Sequence, residues 1–236
     1  MTETSFFHEH TAGRYSQSGI TTIVVGKGKV LFSVHTNLLR QKSEAFRAAL
    51  SIEWNEKDST VSEIVWEEED PDVVETVIDW IYHAALPKLT TTKLDFNLCL
   101  MCYKFAETRM MYELKDTIIN LLWKDYVQHE YMAEATEVQK AYKVDLGNTQ
   151  MGKFLLKSVV YKIMDNRMIG EGGKAWEDQL IEACEDGDLA KDIVKEIISF
   201  RHNAYGAPTK VRAVSTTIMR TAAPVRNEYG QLARVV

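Results

Sequence analysis

Apolar residues run together or alternate in the first part of the chain, and beyond about residue 70 they recur every three or four positions. Ile20–Val25 reads Ile-Thr-Thr-Ile-Val-Val, a β-branched run that packs well on a pleated surface and predicts a strand. Gly26-Lys-Gly28-Lys29 follows as a turn, because glycine tolerates positive φ, and Val30–Val34 alternates and pairs back as a hairpin. Leu38, Leu39, Phe46, Ala49 and Leu50 supply the apolar face of two short helices, with Ser43 as an N-cap between them. Ser59–Trp66 alternates loosely as a third strand. Asp70 and Pro71 then open a helix, aspartate as N-cap and proline at the first helical position, with Val73, Val74, Val77, Ile78, Ile81 and Tyr82 at helical spacing and Pro87 as its stop.

From Leu94 the pattern is helical. Leu98, Met101, Cys102, Phe105 and Ala106 form one stripe, and Leu114, Ile118, Leu121, Leu122 and Tyr126 the next. Weaker helices follow at about 129–144, 149–165, 174–185 and 189–202, with breaks at Gly147, Gly170–Gly173 and Gly187. Residues 1–18 lack periodicity and read as an arm. The stretch from Asn203 has few large apolar residues and reads as a disordered tail. Strands first and helices after predict an α+β fold, a small sheet capped by helices and followed by an all-helical extension.

The 236 residues suffice for a core without staples, and 45% apolar with 26% charged residues is globular composition. Cys99, Cys102 and Cys184 are too scattered for a disulfide framework and fit a reducing compartment. Met1–His10 shows no basic start leading into an apolar run, and no stretch approaches the roughly 18 apolar residues of a membrane helix. A soluble intracellular protein, in cytoplasm or nucleus, is therefore expected. The net charge is −6, unevenly spread. Residues 203–236 hold five cations against Glu228 alone, which leaves that stretch at +4 and the preceding 202 residues at −10. An acidic body does not draw nucleic acid by long-range attraction.

Several segments resemble the BTB/POZ family, in its order and spacing. Phe32-Ser-Val34-His35, then Leu38-Leu39, then Ser43-Glu-Ala-Phe46, is similar to that family's hallmark. Asp70-Pro71 with Trp80-Ile-Tyr82 resembles the start and end of its third helix, and Tyr103-Lys-Phe-Ala-Glu107 with Leu114-Lys115 resembles a segment of fungal members. The likeness covers about residues 18–126. Ala141-Tyr142, Phe154–Val160 and Asp186–Asp192 are similar in position to the helical, BACK-type region that follows BTB in many fungal proteins. The resemblance implies an arm over 1–18, a BTB/POZ domain over 19–127, a helical extension over 128–202 and a basic tail over 203–236. It also implies structural roles for Phe32, His35, Ser43, Phe46, Trp80 and Tyr82. Two positions depart from the pattern: where many members carry an Asp opening the first strand and a Lys after the motif histidine, this chain has Gly19 or Ile20, and Thr36. In members that carry them, those charges line a pocket at the dimer seam.

Chemistry-bearing groups are sparse. Cys99 and Cys102 have the spacing of a metal knuckle, but a zinc site needs about four ligands and no second pair follows, so they read as packing residues. A phosphate loop would need Gly-x-x-x-x-Gly-Lys-Ser/Thr leading into a helix, whereas Gly26–Lys29 leads into a strand. His8 and His10 sit in the arm without further ligands. Glu67–Asp70 precedes a helix and suits the positive end of its dipole. No esterase, zincin, dinucleotide or P-loop fingerprint appears, so an enzyme, a cofactor and a catalytic role for His35 are not expected.

In BTB adaptors of cullin-based ubiquitin ligases, the loop before the third strand carries a hydrophobic-x-Glu motif, and Trp54-Asn-Glu56 is similar to it. The expected function is a protein-interaction module that self-associates, binds a cullin scaffold, or both. Phe6, Phe7, Leu38 and Leu39 are candidates for a homodimer surface, and Trp54 and Glu56 for the cullin contact. The alternative is a transcriptional or chromatin regulator that dimerises and places its basic tail on nucleic acid.

Overall fold

The computed structural model describes residues 19–53, 61–89, 94–129, 132–164, 173–185 and 187–205. Phe6, Phe7, His8, His10, Trp54, Glu56 and the tail beyond Tyr205 lie outside the described residues. The chain divides into two compact units, Met1–Ile118 and Ile119–Val236.

The first unit opens on β1 (Ile20–Val25) and β2 (Val30–His35), an antiparallel hairpin, and β3 (Val61–Trp66) pairs parallel to β1. The strand order is β2-β1-β3. At the turn Gly26 takes φ +68 and Lys29 φ 52, the left-handed region that glycine enters without cost. One sheet face is buried through Thr21, Ile23 and Val25, and on the other Leu31, Val24 and Val65 stand side by side across the three strands. Between β2 and β3 lie α1 (Thr36–Lys42) and α2 (Glu44–Glu53). They are followed by α3 (Pro71–His83), α4 (Phe96–Thr108) and the first part of α5 (Tyr112–Gln128). Trp80, Leu39, Tyr103 and Leu114 are among the most deeply buried side chains of this unit.

Two sequence expectations need correction here. Pro87 does not end α3. The helix stops at His83 because Ala84 turns left-handed (φ 52) and returns its N–H to the Trp80 carbonyl at 2.8 Å, an αL cap. Pro87 instead opens a 3-10 turn, Pro87–Leu89. The last helix also runs further than read, so Asn203–Tyr205 are helical.

The second unit contains the rest of α5, then α6 (Ala135–Lys143), α7 (Gln150–Met164), α8 (Gly173–Ala183) and α9 (Gly187–Tyr205). Glu134 and Glu137 form a capping box that starts α6. Tyr126 stacks on Phe154 with ring centroids 5.9 Å apart and donates its hydroxyl to Glu137 Oε2 at 2.9 Å. Burial raises the Glu137 carboxyl above its ordinary value, against the hydrogen bonds that it accepts from Glu134 N–H and Tyr126. Lys162 reaches Glu134 at 2.9 Å and lies over the Trp176 ring. No helix among the described residues is long and apolar enough to cross a membrane.

Candidate protein-docking groove

The motif residues of the first unit knit its elements together. Ser43 sits in extended conformation between α1 and α2 and is 2% exposed. Its hydroxyl accepts from Phe46 N–H at 3.1 Å, the N-cap bond expected of it, and donates to the Arg109 carbonyl. His35 is half-buried at the end of β2. Its backbone N–H donates to Tyr82 Oη at 3.1 Å, and its Nδ1 lies 2.8 Å from the same oxygen. Since Oη accepts the backbone N–H, its own hydrogen is available to Nδ1, and the histidine fastens β2 to the last turn of α3. Trp80 is 2% exposed beneath the Lys42 ammonium, 5.0 Å from the ring centre.

The departures noted in the sequence have a geometric counterpart. Thr36 is buried. Its Oγ1 donates to the Gly19 carbonyl at 2.8 Å, so it accepts from Thr21 Oγ1 at 2.9 Å. A neutral, closed hydrogen-bond chain stands where the family pattern often carries opposite charges.

Leu38 and Leu39 are 4% and 1% exposed. Their side chains belong to the core of their own unit, which corrects their expected place on a dimer surface; α1 presents Asn37 and Gln41 outward. Cys99 and Cys102 are fully buried, and burial pushes the Cys102 thiol up to about 12, so at neutral pH it stays a packed thiol rather than a thiolate ligand or nucleophile. Among the described residues no group of three His, Cys, Asp or Glu side chains is arranged to hold a metal ion.

Among the described residues of this unit, a groove of about 510 Å³ lies between α2, β3 and the turn after α4, lined by Phe46, Ala49, Leu50, Ile64, Trp66 and Arg109 among others. Two of its lining residues carry rings, Phe46 and Trp66. Phe46 stacks on Trp66 at 5.7 Å, and Trp66 meets Phe105 edge-on at 5.3 Å. The Arg109 guanidinium lies over both Phe105 (3.8 Å) and Trp66 (4.6 Å), a cation–π arrangement. Arg109 also bonds Glu69 at 2.7 Å. Burial lowers the guanidinium from its ordinary value, and Glu69 opposes that shift, so the ion pair consumes the groove's own cation. Sequence patterning missed Arg109, Trp66 and Glu69 as one constellation. Forty positions separate Glu69 from Arg109, and only the fold brings them together.

This geometry and the motif order meet in the comparisons. A model of the family described as BTB/POZ domain matches residues 19–120. Those residues form a BTB/POZ domain. Among solved structures, the BTB domain of human gigaxonin is similar at 15% identity over 47% of this chain and 83% of that one, with a TM-score of 0.36. The BTB domain of zebrafish PATZ1 is similar at 16% identity over 48% and 85%, with a TM-score of 0.35. A comparison with curated proteins finds no match. The BTB/POZ domain is a protein–protein interaction fold, and the groove is a concave surface on it.

Proposed function

We propose that this chain is a non-enzymatic, intracellular interaction protein, with a BTB/POZ domain over 19–127 that self-associates and serves as an adaptor on a cullin-type ligase scaffold, and with the helices of 128–202 presenting a further partner. The observation that carries the adaptor reading is the position of Trp54-Asn-Glu56. In the sequence these residues fall between α2 and β3. An aromatic residue beside a carboxylate suits an interface anchor. The apolar row Leu31–Val24–Val65 supports self-association, since Leu31 is 67% and Val65 53% exposed on one sheet face.

Titration calorimetry of the full chain against a cullin N-terminal domain tests the adaptor reading. Binding is expected for the unchanged chain, and at least tenfold weaker binding for Trp54→Ala. Absence of heat with the unchanged chain contradicts it.

A further inference from the structure

The groove has a chemical character that the adaptor reading does not use. Its floor and walls are apolar and aromatic, and its cation, Arg109, is held under Glu69 and over two rings. Its border is acidic. From Trp66 in the wall the chain runs through Glu67 and Glu68 to Glu69, which lines the groove again, and Asp70 follows. Glu67, Glu68 and Asp70 are exposed. Asp70 is committed to capping α3 through the Asp72 N–H, which leaves Glu67 and Glu68 as solvated carboxylates beside the apolar floor.

We propose that this groove docks a protein segment carrying an apolar anchor between lysine or arginine residues. An apolar side chain entering a preformed slot of this size gains burial, and the rings that wall the slot are already stacked, so little ordering opposes entry. The carboxylates on the border then select by charge. They attract basic flanks and repel acidic ones, which sets specificity and on-rate more than affinity. A membrane surface or a nucleic acid of negative charge is repelled by the same border.

The inference stands on the groove and its border alone, so it survives loss of the cullin contact, and its test contains no cullin. Random twelve-residue peptides are selected on the immobilised full chain, and the enriched peptides are then measured by fluorescence polarisation. Enriched sequences are expected to centre a Leu, Phe or Trp between Lys or Arg. Ala49→Trp fills the groove from an exposed helical position, and it is expected to weaken their binding at least tenfold. Glu67→Lys with Glu68→Lys leaves the slot open and is expected to weaken binding at least fivefold at low salt, with the loss shrinking as salt rises. Circular dichroism melts confirm that both variants fold. Enrichment of neutral or acidic peptides, equal binding by Ala49→Trp, or no enrichment at all overturns the proposal. So does a self-associated chain that Ala49→Trp converts to monomer, because the occupant is then a second copy.

Discussion

Ser43 illustrates how one small side chain closes two accounts. Its hydroxyl satisfies the first turn of α2 through Phe46 N–H and also satisfies the Arg109 carbonyl at the turn after α4. Ser43→Ala leaves both without that partner in a buried place. The expected cost is about 1–3 kcal/mol of unfolding free energy by urea titration, with a looser groove, since Arg109 forms part of its wall. The N-cap was legible in the sequence, as a serine three residues before a phenylalanine. The bond to Arg109 was not, because a contact across 66 positions leaves no local pattern. Glu137 makes a second residue-scale prediction. Its folded state holds a proton more tightly than the unfolded chain does, because burial raises the carboxyl. Folding therefore takes up protons between the ordinary carboxylate value and the raised one, and the helical unit gains stability from this group as pH falls through that window. Melting temperature against pH is expected to show that gain, and Glu137→Gln to remove it.

At the scale of elements, the periodicities were readable wherever one physical cause dominated. The β-branched run of β1 became a strand, and Asp70-Pro71 started α3 with the aspartate accepting from Asp72 N–H at 2.8 Å. Where two signals competed, the sequence misled. Proline near a helix end looked like the terminator, yet the left-handed Ala84 acted three residues earlier. Leu38 and Leu39 were apolar enough for either core or interface, and burial in their own unit decided. Gly152 is an element-scale constraint that no pattern announces. A Cβ there would sit 2.2 Å from the Leu146 carbonyl oxygen and 2.5 Å from that of Gly147, so the first turn of α7 packs against backbone that has no rotamer to yield. Gly152→Ala is expected to cost about 2–3 kcal/mol, read as a lowered thermal midpoint, although alanine is otherwise the better helix former.

For the whole molecule, the switch from alternating to helical spacing near residue 70 falls within the first unit, and the boundary between the units at Ile118 lies inside α5. The resemblance over about 18–126 and the family match over 19–120 agree closely. The groove was not legible, because its walls come from α2, β3 and the turn after α4, three places far apart in sequence. The acidic run Glu67–Asp70 was visible, and its capping role holds for Asp70. Its other carboxylates acquire a further meaning only beside that groove. The proposed function has the chain assemble with itself and with a cullin scaffold through its BTB/POZ domain, and light scattering coupled to size exclusion reads both steps at once. The full chain alone is predicted to run at twice its 27.0 kDa mass and to gain the mass of a cullin N-terminal domain when mixed with it, while Trp54→Ala keeps the first result and loses the second. A chain that stays at its single mass, alone and in the mixture, overturns the proposed function.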